Sequence, residues 1–176
     1  MKVPPKLKNR LKKIKMLVLD VDGILTDGSI QWIKGQGWTR VYSVIDGYGI
    51  KLIQQCGIPV AIMSGGLSEE LQERIKVLKI EHSYLGNEDK LQSLEKLTAV
   101  TGIAPEAMAY VADELFDIPV LERVGFAATV PHAQPPVKKI CHYVTKNPGG
   151  KGAVREVIEL IRHAQKLGPY LEGAKK

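Results

Sequence analysis

The chain has 176 residues and a formal net charge of +6; 44% of it is hydrophobic and 25% charged. That is enough chain for one ordinary domain with its own core, which excludes general disorder and any need for covalent staples. The two cysteines, Cys56 and Cys141, sit in no Cys-x-x-Cys pair. This argues against a disulfide framework or a thiolate zinc site and fits a reducing, cytoplasmic setting.

Lys2, Lys6, Lys8, Arg10, Lys12, Lys13 and Lys15 crowd the N-terminus, and Lys175 and Lys176 close the chain. A basic end can touch nucleic acid or an anionic surface; the plainer reading is a solvated, partly disordered end. No aromatics alternate with the lysines and no nucleic-acid motif follows, so no nucleic-acid partner is expected. The apolar run after them, Met16 to Leu19, is too short for a signal peptide or a membrane span, so no membrane partner is expected either. The chain therefore divides into a basic segment (1–15), one domain (16–167) with an insert (29–44), and a C-terminal tail (168–176).

Met16–Leu19 reads as a fully buried strand that delivers Asp20 at its carboxyl end. Ile30 to Ile33 and Trp38 to Val44, separated by Lys34-Gly35-Gln36-Gly37, read as a β-hairpin. Ile45 to Cys56 has helical spacing and stops at Gly57. Pro59 to Met63 is a second buried strand, followed by Ser64-Gly65-Gly66 and a helix from Ser68, the expected cap, to Lys79. A third strand ends at Tyr84-Leu85, and a helix covers Glu88 to Val100. Ala107 to Ala112 is a fourth strand ending at Asp113. A helix over Asp117 to Val124, a strand over Phe126 to Val130 and a closing helix over Lys151 to Leu167 complete the chain. Strands alternating with helices imply an α/β, Rossmann-like three-layer sandwich with a mostly parallel sheet. Ligands then bind beyond the carboxyl ends of the strands. Asp20/Asp22, Ser64, Lys90 and Asp113/Asp117 all follow strands.

Two carboxylates in Asp20-Val21-Asp22-Gly23 can approach one point because the glycine lets the chain turn; taken alone, the segment also fits an ordinary acidic turn. The longer stretch Asp20 to Gly28 resembles the first motif of the haloacid dehalogenase superfamily, Asp-x-Asp-Gly followed by Thr or Ser. The superfamily's other motifs are matched in order by Ser64, by Lys90 in Asn87-Glu88-Asp89-Lys90, and by Ala112-Asp113-Glu114 with Asp117. Ala112 and Glu114 depart mildly from the usual Gly-Asp-Asp. The resemblance implies that Asp20 attacks phosphorus to form an aspartyl phosphate. Asp22 then serves as acid and base, and Ser64 with the Gly65 backbone binds the phosphoryl oxygens. Lys90 offsets charge. Mg²⁺ lies on the Asp20 carboxylate, the Asp22 backbone carbonyl and the Asp113 carboxylate, with Glu114 and Asp117 orienting waters or Lys90 behind them. An acid at position 22 favours a phosphatase or a phosphomutase over an ATPase, and a mutase normally carries a larger cap domain.

The chain has no room for a cap domain beyond the hairpin, so a capless fold is expected. Trp32 and Trp38 either anchor an interface or pack on their own domain. Asp46-Gly47-Tyr48-Gly49-Ile50 and Gly149-Gly150-Lys151-Gly152-Ala153-Val154-Arg155-Glu156, with the motifs above, resemble the 3-deoxy-D-manno-octulosonate 8-phosphate phosphatase subfamily over nearly all of 16–165. That implies a cytoplasmic homotetramer acting on a phosphorylated sugar acid, with Asp46, Gly65, Arg74 and Lys151 as candidate substrate contacts. One departure stands out. The subfamily's Arg after Thr-Gly is Gly66 here, and the Glu that related nonulosonate 9-phosphate phosphatases carry there is missing too. A nonulosonate or other sugar phosphate remains an alternative substrate. A non-catalytic tetramerising assembly domain remains the alternative of another class.

Overall fold

A computed structural model describes residues 3–168. The strands β1 (Met16–Leu19), β4 (Val60–Ser64), β5 (His82–Leu85), β6 (Met108–Val111), β7 (Phe126–Thr129) and β8 (Tyr143–Val144) form one sheet in the order β5-β4-β1-β6-β7-β8, parallel throughout. A separate antiparallel hairpin pairs β2 (Gln31–Ile33) with β3 (Gly37–Thr39). β1 lies between β4 and β6, and every residue of these three strands is buried. Burial on both faces explains why they read as continuous apolar runs rather than alternating ones.

The described residues also form seven α-helices: α1 (Pro5–Leu11), α2 (Val44–Gln55), α3 (Glu69–Val77), α4 (Lys90–Thr101), α5 (Ile118–Leu121), α6 (Pro135–Ile140) and α7 (Ala153–Gln165). α7 packs on α2 and α1, while α5 packs on α4 and α6, so two helical groups flank the sheet. The expected three-layer α/β architecture is present. Among the described residues the hairpin is the only element between β1 and α2.

The basic N-terminus differs from the expected solvated end. Pro5 opens α1 at its first turn, and Leu7 and Leu11, one turn apart, are buried with Ile14 in the main core. Burying each such side chain stabilises by about 1.5–3 kcal/mol, and the lysines occupy the outward face. The expected C-terminal tail, 168–176, lies outside the described residues except for Gly168. α6 and β8 were not expected from the sequence.

The two sequence stretches specific to the subfamily are clasped to each other. The Asp46 carboxylate on α2 accepts the N–H groups of Gly152 at 3.0 Å and Arg155 at 2.7 Å, and so caps α7 from across the chain. The buried Glu156 accepts from Tyr143 Oη, from the backbone N–H groups of Lys146 and Asn147, and from Asn147 Nδ2, which shapes the loop ahead of α7. That loop presses on the segment after β1. Gly150 N–H donates to Ile24 O at 3.0 Å, and a Cβ at Gly149 would lie 1.7 Å from Gly23 O. The C-terminal motif thus braces the loop that carries Asp20 and Asp22.

Candidate active site

Three neighbouring strands end side by side, and each passes a polar residue to the same place. Asp20 N–H donates to Val111 O, which fastens the end of β1 to the end of β6. The chain turns at Gly23, whose φ is +80°. A Cβ there would lie 2.1 Å from Asp113 Oδ2, so only glycine allows Asp113 this close. Thr26 Oγ1 accepts the N–H groups of Gly23 and Gly28 and closes the loop. The result is a pocket of about 370 Å³ lined by Asp20, Asp22, Ser64, Gly65, Asp113 and Glu114, with Gly66, Glu88, Phe116 and His132 around it.

Lys90 lies beneath this pocket with its side chain fully buried. Its ammonium donates to Asp20 Oδ1 at 2.7 Å, Met63 O at 3.0 Å and Asp117 Oδ1 at 3.3 Å. An ammonium has three donors and no acceptor, so these partners satisfy it. Asp117 is equally committed: Oδ1 also accepts from Tyr110 Oη at 2.6 Å, and Oδ2 accepts from Glu114 N–H at 3.2 Å. Ser64 Oγ accepts from Gly66 N–H at 3.0 Å, which leaves its own proton to give.

Burial first, and neighbouring negative charge second, raise the proton affinity of Asp20 and Asp113. Burial pushes Asp20 up to about 7; Lys90 opposes the rise and Asp117 adds to it. Asp113 is also raised to about 7, by burial first and then by the charges of Asp20 and Asp117. Burial and Asp117 hold the Tyr110 phenol well above its usual range, so it remains a donor.

The donor set fits a hard divalent cation. Carboxylate oxygens of Asp20, Asp113 and Asp117 lie within 4.8 Å of one another. Asp113 Oδ1 is buried without a hydrogen-bond partner, the kind of orphaned oxygen that a cation satisfies. Because Asp117 is occupied by Lys90, Tyr110 and Glu114, the carboxylates that would hold Mg²⁺ are those of Asp20 and Asp113, with Asp117 behind them.

A pH-dependent metal effect follows. Asp20 and Asp113 have folded pKa values near 7, above the ordinary 3.8. The folded state therefore holds more protons than the unfolded state across that window, and metal-free stability falls as pH rises through it. Mg²⁺ offsets the exposed charge, so its stabilising effect grows over the same window. Saturating Mg²⁺ is expected to raise Tm by about 5–10 °C at pH 8 and by less than about 2 °C at pH 5. Thermal melts at the two pH values check this, and equal shifts would count against these ligands.

The remaining expected residues are scattered. Lys151 is exposed near Asp27, whose carboxyl is held below its usual range first by the Ser29 N–H and to a lesser degree by Lys151. Asp46 and Arg74 are not brought to this pocket. Asp46 caps α7, and the Arg74 guanidinium stacks over Tyr42 and donates to Ser43 O at 3.0 Å. Neither of these two expected substrate contacts lines the pocket in this chain. Ser68 stands ahead of α3, but its hydroxyl makes no capping bond and instead accepts from Arg40. Sequence reasoning also missed Arg40 itself. Its guanidinium grips Asp22 through Nε at 2.6 Å and Nη2 at 3.1 Å.

Residues 84–158 match a family model described as haloacid dehalogenase-like hydrolase. The 3-deoxy-D-manno-octulosonate 8-phosphate phosphatase of Yersinia pestis is 42% identical over 166 residues, covering 94% of this chain and 87% of that protein. The chain belongs to the haloacid dehalogenase-like hydrolases. Another relative within this family, the phosphatase of the same description from Salmonella typhimurium, is 40% identical over 163 residues, covering 93% of this chain and 87% of that protein. Among solved structures of the family, the Moraxella catarrhalis phosphatase of that description, in complex with magnesium, phosphate and KDO, superposes with a TM-score of 0.88 at 39% identity. It covers 92% of each chain.

Proposed function

We propose that the protein is a Mg²⁺-dependent phosphatase that hydrolyses 3-deoxy-D-manno-octulosonate 8-phosphate to KDO and phosphate through an aspartyl phosphate on Asp20. The observation that carries this reading is the buried Asp20–Lys90–Asp117 arrangement beneath a pocket that also holds Asp22, Ser64 and Asp113. The similarity to phosphatases of that description over more than nine-tenths of the chain supports the choice of substrate.

Each residue has a task. An Asp20 carboxylate oxygen attacks phosphorus, and the bond to the sugar oxygen breaks. Asp22 gives that oxygen a proton, then takes one from the water that hydrolyses the acyl phosphate and frees Asp20. Lys90 balances the Asp20 charge as the anionic ester arrives. The Ser64 hydroxyl, positioned by Gly66 N–H, donates to a phosphoryl oxygen. When bound, Mg²⁺ supplies the positive charge that offsets nucleophile and phosphate together.

The homotetramer also belongs to this reading. Trp32 and Trp38 pack edge to face on each other, with ring centroids 5.3 Å apart, and both are more than half exposed. Ile30, Val41, Val44, Ile45 and Tyr48, on and after the hairpin, are exposed as well. Among the described residues no helix is long and apolar enough to cross a membrane. The cytoplasmic setting of the reading follows from the cysteine usage.

Phosphate release is to be compared across 3-deoxy-D-manno-octulosonate 8-phosphate, a nonulosonate 9-phosphate and simple sugar phosphates, each with Mg²⁺. The first is expected to give the highest kcat/KM. A higher value for the nonulosonate keeps the chemistry and changes the substrate. No release from any of them would leave a non-catalytic assembly domain as the better reading.

A further inference from the structure

The pocket is strongly acidic. Asp20, Asp22, Asp27, Glu88, Asp113 and Glu114 all line it. Lys90 commits its three donors to protein oxygens below the floor. A substrate with a second negative charge, away from its phosphate, therefore needs another cation at the rim.

Arg40 stands there. It follows β3 directly, and its side chain is only 10% exposed. A Cβ built on Gly66 would lie 2.7 Å from Arg40 Nη2, 3.4 Å from Ser64 Oγ and 3.5 Å from Asp22 Oδ2. The arginine thus occupies the space where a side chain of residue 66 would begin, beside the hydroxyl and the carboxylate of the reaction centre. Glycine at 66 is what gives it room.

The guanidinium has two differently employed edges. Nη1 is anchored on α3 and the residue before it, donating to Glu70 Oε1 at 2.9 Å and Ser68 Oγ at 3.0 Å. Tyr42 Oη also donates to Glu70 Oε1, which ties the exit of the hairpin to the same point. The other edge, Nε and Nη2, holds Asp22 in the two-point geometry that an arginine offers any carboxylate. Four of the five guanidinium N–H groups are accounted for by these bonds among the described residues; the fifth, on Nη2, lies over Gly66.

We propose that the Nε/Nη2 edge of Arg40 is the carboxylate-binding element of this site, exchanging Asp22 for the carboxylate of the incoming sugar acid. The anchor on Glu70 and Ser68 holds the planar guanidinium in place, while the Asp22 side chain, 41% exposed, turns away from the edge that the substrate carboxylate takes. The exchange gives a sugar acid a partner and releases Asp22 to the leaving oxygen. A sugar phosphate without a carboxylate makes no such trade and leaves Asp22 held. The inference rests on the sugar-acid reading above.

The test compares 3-deoxy-D-manno-octulosonate 8-phosphate with arabinose 5-phosphate, a sugar phosphate without a carboxylate, using the Mg²⁺-loaded full chain. The readout is the ratio of their kcat/KM values, which does not depend on the fraction of protein that is active. In Arg40→Ala the ratio is expected to fall by about 30-fold or more, the worth of a charge-assisted pair. In Arg40→Lys, which keeps the charge but loses the two-point fork, it falls by less. Adding Gly66→Arg to Arg40→Ala restores at least about tenfold, because a guanidinium returns to the vacated space. A ratio unchanged in both Arg40 variants, whether both substrates weaken together or neither does, overturns the proposal. A wild type that shows no preference for the sugar acid overturns the substrate reading itself, and the role of Arg40 with it.

Discussion

Asp20→Asn is expected to lower Mg²⁺-dependent phosphate release by at least about 10⁴-fold, because an amide cannot serve as the nucleophile. The fold is expected to gain from the same change. Asp20 is buried next to Asp117 and Asp113, and its raised proton affinity means that its charged form is disfavoured in the folded state. Asparagine is nearly the same shape and its Oδ1 still accepts from Lys90. At pH 8 without metal, the variant should therefore be more stable by about 1–3 kcal/mol. Adding Mg²⁺ should then raise Tm much less than in the wild type, since one of its ligands is gone. Loss of activity with a lowered Tm would mean that Asp20 serves the fold rather than the chemistry.

Lys90→Met carries the second large effect, in the opposite direction for stability. Methionine fills most of the volume but leaves Asp20 and Asp117 facing each other without the cation that donates to both. Removing one partner from a buried ionic cluster costs about 3–5 kcal/mol. For a chain of this size that corresponds to a Tm lower by about 6–20 °C. Activity should fall by at least about 10³-fold, because the nucleophile loses its countercharge as an anion approaches. The two effects are coupled: combining Lys90→Met with Asp20→Asn removes one of the stranded charges and should destabilise less than Lys90→Met alone. Denaturant unfolding of the single and double variants at pH 8 measures this, and simple additivity would show that the Lys90–Asp20 contact carries little.

The central strands and the residues at their ends were legible because burial on both faces leaves an unbroken apolar run, as in Met16–Leu19 and Val60–Met63. Lys90 was legible only by its place in a series. Nothing in its neighbours announces a fully buried ammonium, since its partners come from β1, the end of β4 and the turn after β6. Arg40 gave no signal. It lies within the Trp38 to Val44 strand of the expected hairpin, and its bonds to Asp22 and Glu70 are tertiary. The capping role of Asp46 was not legible from its Asp-Gly-Tyr-Gly-Ile setting, because its partners lie more than 100 residues away at the start of α7. At the N-terminus the lysines masked a helical stripe, Leu7, Leu11 and Ile14, that the spacing did contain. α6 was missed because Pro135-Pro136 reads as a loop, although proline suits the first turn of a helix.

A covalent bond between Asp20 and phosphorus is the step on which the whole mechanism depends, and it can be trapped. The enzyme is mixed with Mg²⁺ and 3-deoxy-D-manno-octulosonate 8-phosphate, quenched in acid within milliseconds, and reduced with borohydride, which converts an acyl phosphate of aspartate to homoserine. Homoserine is expected at position 20, and at no other aspartate, when the peptide is sequenced by mass spectrometry. Phosphate release at full rate with aspartate intact at position 20, or homoserine at position 22 or 113 instead, would contradict it.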